Sequence, residues 1–244
     1  MALSNDALRL KTLIIDNLHH VAFLEGSRVH LQFPTFELMP FDYLEYAERE
    51  LENRSKVSRI NCVSHLKRAM ECELDTFLHV LNLSSKVRPS NFPTKLDWVG
   101  SMGVFNSLSL RKLNIIRNKV EHEYSIPDID DLEIYFELVN AFIHTLEGYA
   151  FILAAHAEME WFPKEEQLYP SLKPETFRKF IIKYSFQEPL ISYRIYVGDN
   201  EQELVFQPDK KDDFLFAVRA FFLLCRATAL VSDDYVVKEL EKTT

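Results

Sequence analysis

The 244-residue sequence predicts a mainly α-helical fold: an antiparallel helical bundle with a small α+β appendage at its C-terminal side. Three observations carry that expectation. Glycine is scarce at 5 residues while phenylalanine reaches 19, a balance that favours long helices with aromatic packing between them. Neither Gly nor Pro occurs between Pro40 and Pro89, so neither of the strongest local breakers interrupts a helix there. Apolar residues make up 47% and charged residues 27%, the balance of a chain that can bury a sizeable core.

Taken in order, the first forty residues are the least patterned. A helix over about 6–24 and an extended piece around 28–33 are expected. Val63, Leu66, Met70, Leu74, Phe77, Leu78 and Leu81 then recur at three- and four-residue steps, and Leu44, Ala47 and Leu51 keep the same period upstream. They predict one long helix, or two nearly continuous ones, over about 42–83. Pro89, Pro93, Gly100 and Gly103 make 86–103 a loop or a short irregular helix. Helicity resumes near Val104 on a stripe of Leu108, Leu113, Ile116 and Val120, and Pro127 stops it near Tyr124 or Ser125. Asp130 and Glu133 have the form of a capping box, opening a helix expected to run to about Glu160.

Beyond Pro163, Pro170 and Pro174 the pattern changes. Ile191, Tyr193, Ile195 and Val197 alternate with polar or aromatic neighbours, as a strand requires. Gly198-Asp199-Asn200 is a turn, residues 204–207 a returning strand, and 211–230 a helix followed by a short polar tail. The expected division is therefore 1–40 (helix and extended segment), 41–160 (bundle) and 161–244 (appendage).

The formal charge of -9 argues against a protein that coats nucleic acid non-specifically, though it leaves room for a small, locally basic cleft. Cys62, Cys72 and Cys225 have no CxxC spacing, so reduced thiols are expected rather than a disulfide framework or zinc site. The stretch 141–157 carries His144, Glu147 and His156 and falls short of the roughly 18 apolar residues of a membrane span. No membrane association and a cytoplasmic location are expected.

Chemistry concentrates in Ile116-Arg117-Asn118-Lys119-Val120-Glu121-His122-Glu123-Tyr124, which reads R-N-x-x-x-H-x-Y at the end of a helix. Cleaving RNA through its own 2′-hydroxyl needs one proton removed and one delivered, a task suited to an imidazole near neutrality. A permanently charged guanidinium suits the phosphate oxygens. Arg117 and His122 are five residues apart, so their directions differ by about 140° on one helix, while Asn118 and His122 share a face. A site joined across a two-fold axis would reconcile those directions.

This run, with the helices before and after it, resembles the signature of HEPN domains, helical bundles found in prokaryotic toxins and defence ribonucleases. The likeness covers about 41–160, roughly half the chain. It implies a metal-independent, cofactor-free endoribonuclease acting on RNA as a homodimer, with Arg117 and His122 catalytic and Asn118 positioning the phosphate or His122. The variant with Tyr two places after His is similar to HEPN toxins paired with a nucleotidyltransferase antitoxin. It implies Tyr124 as a modification or substrate-contact residue. The alternative is a non-catalytic HEPN-like module that binds a nucleotide or protein partner.

Plainer readings stand beside these. Arg117 could pair with Glu121 on a solvated face, and His122 could be a favourable cation at a helix C-terminus. Tyr124 could be a packing residue with a wet hydroxyl. Arg59 and His65 satisfy the same loose spacing on another helix. His19, His20, His79, His144 and His156 are read as structural. Lys173, Arg178, Lys179 and Lys183 form a modest basic cluster, either a solvated face or an RNA-guiding edge.

Overall fold

Residues 29–87, 91–105, 108–126, 128–161, 177–197, 199–227 and 230–241 are described by the computed structural model; within them the side chains of Ser109, Asn114, Arg117, Glu121, Ile129, Asp130, Phe177, Arg178, Phe180, Val197 and Glu241 lie outside the description. The expected N-terminal helix and the proline-marked linker also fall outside it.

The long apolar stretch breaks at two residues. Helix α1 (Pro40–Asn53) ends at Arg54, whose backbone is left-handed (φ 55°), and Ser55 caps helix α2 (Lys56–Val80) by accepting the Ser58 N–H. A left-handed residue followed by an extended cap reverses the chain, so of the one long helix or two nearly continuous ones expected over 42–83 there are two, and they fold back as an αα-hairpin. Its antiparallel pairing is visible in the bond from Asn61 Nδ2 to Glu50 Oε1 (3.0 Å) and in the edge-to-face contact of Tyr46 with His65. Breaking the run lets Leu44 and Ala47 face Cys62, Val63 and Leu66 in the core.

The loop or irregular helix of 86–103 contains helix α3 (Phe92–Ser101), with Asn91 accepting the Thr94 N–H and Pro93 in the first turn. Helix α4 (Leu108–His122) follows. Helix α5 (Ile129–Ala155) starts one residue before Asp130, which therefore lies in the first turn and is not the cap. Over Asp131–Ala155, α5 is long and apolar enough to cross a membrane by length and composition. It sets Leu132, Val139, Phe142, Ile143, Leu146 and Leu153 in the core.

α5 stops at Ala155, short of the expected Glu160, because Glu158–Trp161 is strand β1. It pairs antiparallel with β2 (Phe177–Ser185), β2 with β3 (Leu190–Val197), and β3 with β4 (Asn200–Phe206), giving a four-stranded meander. The connection between β3 and β4 is short, with Val197 opposite Asn200, which the expected turn included and which is instead the first residue of β4. Helix α6 (Lys211–Ala227) matches expectation, whereas the polar tail holds a further helix, α7 (Asp233–Glu241).

The sheet is fastened to the bundle and to α6 by side-chain-to-backbone hydrogen bonds, that of Tyr184 buried and those of Asn82 exposed. Tyr184 Oη donates to the Leu81 carbonyl (2.8 Å), and Asn82 Nδ2 donates to the carbonyls of Phe186 and Gln187. Tyr193 Oη donates to the Ala217 carbonyl on α6 (2.7 Å). Ring contacts Trp98–Phe214 and Tyr149–Phe222 join α6 to α3 and α5. One connected core therefore runs from Leu44 through Phe142 to Ile182 and Phe221.

Candidate functional site

The packing of α4 decides what the R-N-x-x-x-H run presents. Leu110 and Leu113 are buried, and Ile116 and Val120 pack partly against the core beside α2 and α5. On the opposite side Leu108, Ile115 and His122 follow one another at seven-residue steps, two helical turns each, and all three are exposed. Lys112, Asn118 and Lys119 flank that stripe, also exposed. Ile115 is 54% exposed, an aliphatic side chain in water amid polar neighbours.

The chain leaves α4 abruptly. Glu123 N–H and Ser125 N–H both reach the Lys119 carbonyl, at 2.9 and 3.4 Å, and Tyr124 is left-handed with φ 54°. A left-handed tyrosine bears a steric cost that Gly or Asn would avoid. Its ring is 88% exposed, so no packing of the ring offsets that cost. The wet-hydroxyl packing reading of Tyr124 therefore fails: the ring is not packed.

Asn118, His122 and Tyr124 thus stand together at a solvent-facing helix tip. Arg117 occupies a backbone position seven residues after Leu110 and four after Leu113, on the stripe that is buried earlier in α4. As helix positions Arg117 and His122 stand about 140° apart around α4. No cluster of three or more His, Cys, Asp or Glu with metal-holding geometry occurs among the described residues.

The rival Arg–His pair sits in a different setting. Arg59 and His65 are half-buried on α2, and the His65 ring packs on Tyr46. Burial first, then the Arg68 charge, lowers the His65 pKa from its ordinary value. Arg59 Nε and His65 Nδ1 are buried without hydrogen-bond partners among the described residues. This pair belongs to the hairpin interface.

The described part of the basic cluster on β2 is neutralised across the sheet. Lys179 meets Glu160 (3.4 Å) and Lys183 meets Glu158 (2.9 Å), carboxylates supplied by β1.

Two concave regions escaped the sequence reading. One, of about 660 Å³, lies where α3, α4, α5, α6 and α7 converge, lined by Arg111, Arg219, Arg226, Tyr149, Phe222 and Tyr235. Arg111 pairs with Asp97, Arg219 with Glu239 (3.0 Å), and Arg226 lies over the Tyr235 ring. Gly103, at φ 76°, allows the approach: a Cβ there would come within 3.2 Å of Arg219 Cγ. The interruption of the apolar 214–230 stretch by Arg219 and Arg226 was its sequence signal. The second region surrounds Glu73, a carboxyl on the core stripe of α2 between Met70 and Phe77.

Set against known protein families, curated proteins and solved structures, the chain finds no match in any of the three.

Proposed function

We propose that this protein is a metal-independent endoribonuclease of HEPN type, a toxin or anti-phage effector that acts on RNA as a homodimer in the cytoplasm. The observation that carries the reading is the α4 tip. Asn118 and His122 share an exposed face, continuous with exposed Leu108 and Ile115. An apolar stripe leading to a polar helix end suits a second copy of the same surface, since an isologous interface places like against like.

In that arrangement the His122 imidazole takes the proton of the ribose 2′-hydroxyl. The 2′-oxygen attacks the adjacent phosphorus, the P–O5′ bond breaks, and imidazolium returns a proton to the leaving 5′-oxygen. The products are a 2′,3′-cyclic phosphate and a 5′-hydroxyl, and no metal is required. Arg117, brought from across the axis, holds the phosphate oxygens as charge develops. Asn118 orients phosphate or imidazole. Tyr124, already in water, is accessible to a nucleotidyltransferase partner that transfers AMP to its hydroxyl.

The test is direct. Full-length protein incubated with total RNA should leave cyclic-phosphate ends, with or without chelator, and His122→Ala should leave RNA intact while remaining dimeric in sedimentation. Cleavage that depends on Mg²⁺, or that survives the substitution, removes the mechanism.

The cleft of Arg111, Arg219 and Arg226 favours a second reading, a non-catalytic module that binds a nucleotide. Guanidiniums beside the rings of Tyr149, Phe222 and Tyr235 offer phosphate contacts next to stacking faces. Nucleotide binding by a protein that leaves RNA intact would select it.

A further inference from the structure

The residue whose placement conflicts most with elementary electrostatics is Glu73. It lies mid-helix on α2, 2% exposed, among Met70, Leu74 and Phe77. No hydrogen bond or ion pair meets its carboxyl among the described residues. A buried carboxyl is ordinarily hydrogen-bonded or paired, because the desolvation of its charge is otherwise uncompensated. Here the nearest charge that acts on it is another carboxylate, Glu147 on α5. Burial first, then Glu147, pushes the Glu73 carboxyl up to about 8.

Both carboxyls border one cavity of about 740 Å³ between α1, α2, α5 and the segment Val29–Phe33. Apart from Thr76 and His30 its remaining wall is apolar, with Phe33, Phe41, Phe77 and Phe151 prominent. That volume lies within the range of small-molecule sites, and an apolar wall with few polar groups is how such sites are built. His30 lines the same cavity, and His144 meets Glu147 at 3.5 Å on its outer side. The polar groups that converge are therefore two acids, the buried Thr76 hydroxyl, which has no hydrogen-bond partner among the described residues, and one histidine; among the described residues no Lys or Arg lines the cavity.

We propose that this cavity is a binding site for a small lipophilic amine, whose ammonium lies between Glu73 and Glu147 and whose hydrocarbon part fills the aromatic wall. The ammonium supplies the counter-ion under which Glu73, otherwise protonated near neutral pH, can ionise by releasing its proton to water. The apolar body removes hydrocarbon from water against Phe33, Phe41, Phe77 and Phe151. A fatty acid of the same length would bring a third carboxylate and be rejected. The inference does not depend on the ribonuclease reading, since the cavity and the α4 tip share no residue.

The experiment is calorimetric titration of the full chain with octylammonium, octanol and octanoate, three probes that differ only in the head group. Octylammonium should bind saturably at one per chain, at least about tenfold more tightly than octanol, with octanoate weakest. Glu73→Gln, which keeps the side-chain volume, should erase the preference for octylammonium over octanol while circular dichroism stays unchanged. Equal affinity for amine and alcohol in the unaltered protein would leave only an apolar cavity and overturn the proposal. So would the absence of saturable binding, whether the chain's own residues fill the space or nothing does. The wild-type comparison among probes stands even if the variant misfolds.

Discussion

The tip of α4 and the middle of α2 treat polar side chains in opposite ways. At the tip, Asn118, His122 and Tyr124 stand in water at the end of a short helix. At the middle of α2, Glu73 is enclosed by helices from elsewhere in the chain. The tip was legible as a motif because its residues lie within seven positions of one another. Glu73 carried no motif, since its peculiarity comes from what α1 and α5 set around it. Local chemistry shows in local spacing; burial is a property of the assembled fold.

The largest effect expected on this contrast is at the tip. His122→Ala should reduce RNA cleavage by about 10²–10⁴-fold, the usual contribution of a positioned proton-transfer group, and leave the melting temperature unchanged because the side chain is exposed. A large loss of stability would instead make His122 structural and dissolve the distinction between the two regions.

Next comes the core that links bundle and sheet. Phe221→Ala, on α6 but fully buried, should cost about 3–5 kcal/mol in denaturant unfolding, and the transition should stay single. Two separate transitions would mean that the sheet and the bundle do not share one core. Tyr184→Phe leaves the Leu81 carbonyl without its donor and should cost about 1–3 kcal/mol in the same experiment.

Glu73 sharpens the comparison through pH. Its folded pKa, about 8, lies above the ordinary 4.5, so between those values the folded state holds a proton that the unfolded state releases. Its contribution to stability is complete below about 4.5 and declines as pH rises towards 8, with a slope of at most about 1.4 kcal/mol per pH unit. Glu147 on α5 acts on it in the same direction. Glu73→Gln should flatten that decline, and an unchanged stability profile between pH 5 and 8 would show that the carboxyl titrates as if in water.

The smallest effect returns to the tip. Tyr124→Asn replaces a left-handed tyrosine with a residue that tolerates that conformation, and should stabilise by up to about 1 kcal/mol. A loss of stability would mean that the tyrosine ring has a partner when the protein assembles.

The sequence by itself determined the helical character, the placement of α4 and α6, and strand β3, since each rests on a period visible within its own segment; the return strand expected at 204–207 is instead Asn200–Phe206. It also marked 117–124 as the candidate site, from residue types and spacing alone. It did not reveal that Arg54 and Ser55 fold a helix back on itself, because a left-handed residue that is not glycine leaves no mark in hydrophobic spacing. Strands β1 and β2 were missed for a related reason. Glu158–Trp161 continues the tail of α5 without a breaker, and only pairing with Ile181 and Ile182 makes it a strand. The neutralised lysines of β2, the three-arginine cleft and the enclosure of Glu73 were likewise decided by tertiary structure. In each, the partners lie far apart in the chain, and the energy of a charge depends on which groups folding brings beside it.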